Sequence, residues 1–218
     1  MSKARLNRLA DRSVGLGSRC CCRSARRARR TDLQHVSTQS DRQNFVHRLH
    51  RKEAHGCFHF LGKIFDIGAK ADALVADYRK RVAFVTDRTA KAAKKPRIMY
   101  CGGCNNDTPP RTIGTEGMPR LLFDLAGGQN IFDDIKDSYV NVSWDAVIAR
   151  DPEWIVISNL RIPPEDSIRY LTTSTPLAHL SAVKNRNFLF MTYAERSPST
   201  RNVDALERLA RAIHPELF

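Results

Sequence analysis

No stretch of the 218 residues approaches the roughly 20 consecutive apolar side chains that a membrane-spanning helix requires. The start, residues 1–22, carries positive charge but no apolar run, which excludes a secretory signal, and Gly17-Ser18-Arg19-Cys20 places Arg where a lipoprotein cleavage site needs a small residue. The chain as written therefore shows no export address, and expression from this start predicts a cytoplasmic location. Enzyme chemistry also lacks its usual parts: beyond residue 57 there are no paired carboxylates, no Ser/His/Asp set and no phosphate-cradling glycine loop. Acidic residues are scarce at one end only. Residues 1–56 hold four of them (Asp11, Asp32, Asp41, Glu53) against 14 Lys and Arg, a net +10, whereas the remaining 162 residues are nearly balanced at +3. The overall +13 thus describes a near-neutral body with a basic leader, not a basic protein.

The leader is Arg-, Ser- and Ala-rich, with Cys20-Cys21-Cys22 and Arg26-Arg27-Ala28-Arg29-Arg30, and no helical or strand period of apolar residues survives across it. Such a segment cannot bury enough to order itself, so residues 1–57 are expected to be disordered, and the abrupt change of character near Phe60 suggests a segment not native to the domain after it. An alternative is a nucleic-acid-binding arm that neutralises phosphates, but no aromatics are interleaved for base stacking, and nucleic acid is not expected as a partner. His47, His50, His55, Cys57 and His59 offer soft ligands, yet their spacing matches no standard zinc module and no metal site is expected.

The body alternates helices and buried strands. Ile67, Ala71, Leu74, Val75, Tyr78, Val82 and Val85 recur at steps of three and four and predict an amphipathic helix from Ile67 to Lys94, ended before Pro96. Arg97–Cys101 then reads as a buried strand running into a Gly/Pro-rich loop. Met118–Ala126 reads as a helix stopped by Gly127-Gly128. Ser143 is suited to cap a helix Trp144–Arg150, which Asp151-Pro152 ends. Trp154–Ser158 and Asn187–Met191 are further apolar strands, separated by a loop and short helical pieces, and Asn202–Ile213 is a last amphipathic helix closed by His214-Pro215. Strands apolar on both faces between helices imply an α/β fold: a three-layer αβα Rossmann-like lobe with a mostly parallel sheet, preceded by a long connecting helix and the basic segment. Domain boundaries are expected at 1–57, 58–95 and 96–218. In such folds sites lie at the carboxyl ends of the strands, here the loops after Cys101, Ser158 and Met191.

Four segments in order then carry a resemblance: Leu61-Gly62-Lys63-Ile64-Phe65; Leu125-Ala126-Gly127-Gly128-Gln129-Asn130-Ile131-Phe132; Val142-Ser143-Trp144-Asp145-Ala146-Val147-Ile148-Ala149-Arg150-Asp151-Pro152 with its adjoining strand; and Arg201-Asn202-Val203-Asp204-Ala205-Leu206 with His214-Pro215. Over residues 61–218 the chain resembles the C-terminal lobe of the substrate-binding proteins of ABC importers for iron-siderophore, haem and cobalamin, whose two lobes are joined by one long helix. The resemblance implies a periplasmic or extracytoplasmic lipoprotein with no catalytic activity and no cofactor. The implied partners are a metal-chelate small molecule (ferric siderophore, haem or corrinoid) and ABC permease subunits. It places permease docking at Asp145, one methylene shorter than the usual Glu. It places ligand contacts at Arg111, Thr112 and Glu116 after the first strand, and at Tyr193, Glu195 and Arg196 after the last. Arg111 and Arg196 suit a carboxylate or catecholate, and Tyr193 suits stacking. Two departures stand out. Cys101-Gly102-Gly103-Cys104 has CxxC spacing in what reads as an open loop, which leaves free thiols, a small loop disulfide or a thiol-disulfide activity as readings. The family's N-terminal lobe has no counterpart in residues 1–56, so the chain is expected to be truncated and to bind weakly or not at all by itself.

Overall fold

The computed structural model describes residues 58–158 and 162–218. The disorder and foreign origin expected for residues 1–57, and the histidines at 47, 50 and 55 with Cys57, lie outside the described residues.

Residues 58–64 are helical and turn back on α1 (Gly68–Thr89). The reversal is local: Asp66 takes a left-handed φ of 53°, the Ile67 N–H donates to the Gly62 carbonyl at 2.8 Å, and the Phe58 ring meets Tyr78 edge-on at 6.0 Å. Gly62 is required there, since a Cβ would stand 2.7 Å from that of Ala71. The helical stretch expected over 58–95 is therefore a hairpin of a short and a long helix. α1 also stops at Thr89 rather than at Lys94, the chain passing into turn bonds from Lys91 and Ala92 to the carbonyls of Arg88 and Thr89. Of the stripe read from periodicity, Ala71, Val75, Tyr78 and Val85 are buried, Leu74 and Val82 are half-buried, and Ile67, just ahead of the helix, is exposed.

Beyond it come β1 (Arg97–Cys101), β2 (Arg111–Thr112), α2 (Met118–Leu125), β3 (Gln129–Asn130), β4 (Val140–Asn141), α3 (Trp144–Arg150) and β5 (Trp154–Ile157). After these the chain forms α4 (Pro164–Thr173), α5 (Ser181–Lys184), β6 (Phe188–Phe190), α6 (Tyr193–Arg196) and α7 (Asn202–Ile213). The main sheet is wholly parallel in the order β3-β1-β5-β6, with Ile98 opposite Trp154, Cys101 opposite Ile157, and Ile155 opposite Phe188. β2 and β4 form a separate antiparallel ribbon.

Alternation along the strands divides the core in two, because successive side chains point to opposite faces. Ile98, Tyr100, Val156 and Leu189 face α1, α2 and α7 and pack on Val85, Leu122, Phe123, Leu206 and Leu209. Met99, Cys101, Ile155 and Ile157 face α3, α4 and α5 and pack on Val147, Leu171, Leu180 and Val183. Helices thus cover both faces, and the expected three-layer αβα lobe is the fold. The terminating residues behave as their chemistry dictates. Ser143 caps α3 by accepting the Ala146 N–H at 3.2 Å. Asp151, at φ 38°, ends that helix, and its carboxylate accepts the Ser181 N–H and hydroxyl at 2.8 and 2.6 Å.

Strand order also fixes where a cleft opens. From its carboxyl end β1 leads back to β3 on one side, while the adjacent β5 leads to β6 on the other. Between their carboxyl ends the connections part, which is the topological switch point where α/β sheets hold ligands.

Candidate functional site

At that switch point β1 delivers Tyr100 and Cys101. The chain turns at Gly103, φ 78°, and returns through Arg111, whose backbone exchanges two hydrogen bonds with Gly102 at 2.8 and 3.0 Å. A disulfide joins Cys101 to Cys104, Cα to Cα 5.9 Å, closing the loop that leads to Arg111. Of the readings open for the CxxC, the loop disulfide is the one the structure shows, and both sulfurs belong to fully buried residues. The β2–β4 ribbon sets Arg111 opposite Asn141 and brings Tyr139, just before β4, under the Arg111 guanidinium at 4.9 Å.

The last strand supplies the other side. After β6, Thr192 caps α6, and this single turn presents Tyr193 and Arg196. The Arg196 guanidinium lies 4.7 Å from the Tyr193 ring centroid and 5.9 Å from that of Tyr139, and its Nη1 donates to the Tyr139 hydroxyl at 3.4 Å. Tyr100 meets Tyr139 edge-on at 5.9 Å. The result is a continuous row, Arg111, Tyr139, Arg196, Tyr193, with Tyr100 buried beneath it.

Electrostatics suit this arrangement. Burial pushes the Tyr100 phenol above its ordinary pKa, against hydrogen bonds with Ser158 and Arg196 that favour the ionised form. For Arg196 burial works to lower the pKa, but the oxygens of Tyr100 and Tyr139 outweigh it and hold the guanidinium above its ordinary value. The cation is therefore fixed at any working pH, held by aromatic and phenolic neighbours.

Of the six ligand contacts implied by resemblance, the structure brings together Arg111, Tyr193 and Arg196. It does not bring the other three to the row. Thr112 is fully buried, its side chain on the inner face of the two-residue strand β2. Glu116 is exposed and accepts a bond from the Ser138 hydroxyl at 3.3 Å. Glu195 is buried as the return half of a capping box, accepting from the Thr192 N–H at 2.7 Å, and is bonded to Arg208 at 2.8 Å. Arg208 and the Thr192 N–H overcome its desolvation and hold its carboxyl below the usual range. The spacing Thr192-x-x-Glu195 is the sequence signature of that box, a signal that could have identified the bond. Tyr139 and Tyr100 escaped sequence reasoning: Tyr139 lies in a polar stretch without periodicity, and Tyr100 reads as strand core. Asp145 is exposed in the first turn of α3.

A cavity of about 430 Å³ opens at the amino ends of the strands among Lys94, Arg97, Glu153, Asn187 and His214. Its charges neutralise each other: Lys94 pairs with Glu153, and Arg97 lies 3.6 Å from the carboxylates of both Asp151 and Glu153. It lacks the free donors of the carboxyl-end row. Among the described residues no group of three His, Cys, Asp or Glu side chains is placed to hold a metal ion, and His59 is paired with Asp72 at 2.9 Å. No helix among them is long and apolar enough to cross a membrane.

A parallel αβα lobe whose connections part at the carboxyl ends of adjacent strands is an architecture in which α/β proteins hold ligands. The sequence model of the family described as "Periplasmic binding protein" matches residues 31–193, and the chain belongs to that non-enzymatic family. Solved structures agree. A periplasmic binding protein from Veillonella parvula is 28% identical with a TM-score of 0.65, covering 75% of this chain and 57% of its own. An ABC-type Fe3+-hydroxamate transport system protein from Saccharomonospora viridis is 22% identical with a TM-score of 0.64, covering 75% and 56%. A periplasmic heme binding protein from Pseudomonas aeruginosa is 20% identical with a TM-score of 0.69, covering 77% and 61%. The chain thus spans less than two thirds of the length of each.

Proposed function

We propose that this chain supplies one wall of the ligand cleft in the substrate-binding component of an ABC importer for an iron complex or a corrinoid. The observation that carries the reading is the row Arg111, Tyr139, Arg196, Tyr193 at the carboxyl ends of β1 and β6, beside the switch point. Aromatic faces suit a macrocycle or chelate, and guanidinium donors suit its oxygens. The names of similar proteins, one of an Fe3+-hydroxamate system and one heme-binding, support an iron complex over other solutes. Asp145 is proposed as the permease contact, since an exposed first-turn carboxylate can reach a partner guanidinium. Division at residue 57 into a leader and a lobe-bearing unit is part of the same proposal, and the described unit from Phe58 to Phe218 is compact by itself.

One wall makes only part of the contacts of a closed cleft, so ligand binding by this chain alone is expected to be impaired. Titration with haem, a ferric siderophore and cobalamin, monitored by quenching of intrinsic fluorescence, tests this. Saturable binding weaker than about micromolar is expected, a binding free energy smaller in magnitude than about 8 kcal/mol. Micromolar or tighter binding by this chain alone would overturn the impairment.

A further inference from the structure

We infer that the helical hairpin opening the described unit is a homodimer interface, its outer face covered by the same face of a second copy of this chain across a two-fold axis. The surface is distinct from the proposed ligand wall, and the inference stands apart from that reading.

The short helix over residues 58–64 has two unlike sides. Its inner side is engaged within the chain: Phe58 meets the Tyr78 ring, the His59 Nδ1 lies 2.9 Å from the Asp72 carboxylate, and Gly62 is buried against Ala71. The outer side carries Phe60, Leu61, Ile64 and Phe65, whose spacing of i, i+1, i+4 and i+5 puts them in one stripe. Ile67, past the turn, extends it. These five are 58%, 46%, 57%, 66% and 43% exposed, and they are five of the eight large hydrophobic side chains that the described unit leaves in solvent. Apolar residues scattered singly over a surface are ordinary, but a contiguous set marks a contact.

Area, shape and charge each fit a second copy. At roughly 150–250 Å² for an aromatic side chain, and less for an aliphatic one, the stripe leaves about 500 Å² of apolar surface in water, the upper end of what a monomer exposes. Pairing the stripe with itself buries about 1,000 Å², the area at which a specific interface becomes stable. The pairs Phe60–Ile64 and Leu61–Phe65 form two ridges along i, i+4 rows, and such ridges pack into grooves between ridges of the same spacing, which an identical helix supplies. Residues 58–72 hold Lys63 and Lys70 against Asp66 and Asp72, a balance that lets the face meet itself without repulsion. A two-fold axis near Ile64 runs the two stripes antiparallel and sets Lys63 of each copy toward Asp66 of the other. The same balance disfavours a lipid surface or a nucleic acid, since helices that bind those carry an excess of Lys and Arg beside their apolar face.

Sedimentation equilibrium of the full chain tests this, with free thiols alkylated so that the cysteines of the leader cannot link copies. The 24.7 kDa chain should dimerise with a Kd of about 1–100 µM, as suits an interface at the small end of the specific range. Ile64→Lys and Ile64→Glu, at an exposed position, should each weaken the dimer about a hundredfold by setting like charges together across the axis. An equimolar mixture of the two variants should recover a heterodimer, which only a face that meets itself can do. Phe60→Glu, one turn along the stripe, should weaken the dimer likewise, and unchanged circular dichroism separates lost pairing from lost folding. A monomer at every concentration up to about 300 µM overturns the inference. So does a dimer that all three substitutions leave intact, or a pair of oppositely charged variants that stay monomeric on mixing.

Discussion

Replacing Gly127 by alanine should cost this lobe far more than a methyl group ordinarily would. Gly127 comes after α2 in a Schellman arrangement, its N–H donating to the Asp124 carbonyl at 3.1 Å and the Gly128 N–H to the Phe123 carbonyl at 2.9 Å. Its φ is 78°, so any L side chain is strained there by about 1–2 kcal/mol. Space adds a second cost. An added Cβ would stand 2.9 Å from the Thr89 Cβ and 3.1 Å from the His214 Nε2. Neither neighbour is free to move: Thr89 donates to the Leu125 carbonyl at 3.0 Å, and His214, 2% exposed, has its Nε2 3.2 Å from the Gly127 carbonyl oxygen. Overpacking of this kind costs about 1–3 kcal/mol. Together the two effects predict a loss of about 3 kcal/mol, which for a unit of this size lowers Tm by roughly 6–12 °C. Gly103 is the control. It shares the φ of 78°, but a Cβ there meets nothing within 4 Å, so Gly103→Ala should show the conformational cost alone, about 1–2 kcal/mol. Urea unfolding monitored by circular dichroism, with unchanged slope, measures both. Equal losses for the two variants would refute the packing argument.

The other predictions concern the ends of the site. Glu195→Gln keeps an acceptor for the Thr192 N–H but loses the charge paired with Arg208, and should destabilise by about 1 kcal/mol at neutral pH. Because the folded carboxyl is held below its ordinary pKa, its contribution is present above the ordinary carboxylate range and is lost as pH falls through the depressed folded value, so wild type and variant should converge in acid. Reducing the Cys101–Cys104 link, or Cys104→Ala, should cost about 2 kcal/mol on the chain-entropy account for so short a loop, read as a lower Tm. Asp145→Arg should lower Tm by only a few degrees, since the residue is exposed and only its first-turn complement to the helix dipole is reversed, but abolish permease-coupled uptake; undiminished uptake would remove Asp145 from the docking surface.

Much of this lobe was legible in the sequence because its signals are local. β1 and β5 are apolar on both faces, which only a covered parallel sheet demands, and α7 begins and ends at the residues its apolar stripe and His214-Pro215 indicate. The misses have equally local causes. Asp66 breaks the long helix by taking left-handed φ, which apolar periodicity does not report. The β2–β4 ribbon consists of two-residue strands paired across about 28 residues, too short for any period. Tyr139 enters the site only through that pairing. α4 could have been read more sharply, since Pro164-Glu165-Asp166 is a helix opening by both proline position and charge. Arg111, Tyr193 and Arg196 were named from strand ends and resemblance and lie together in the structure, whereas Thr112 is turned inward by the alternation of so short a strand.

Mapping a bound ligand onto the backbone tests the central claim most directly. A gallium(III) complex of a catecholate siderophore, diamagnetic in place of iron, can be titrated into isotope-labelled protein and read out by amide chemical-shift changes. The account predicts that the shifts gather at Tyr100 to Arg111, Tyr139 to Asn141 and Thr192 to Ser197, the carboxyl-end wall. Shifts gathered instead around Lys94, Glu153, Asn187 and His214, at the amino ends of the strands, would contradict it.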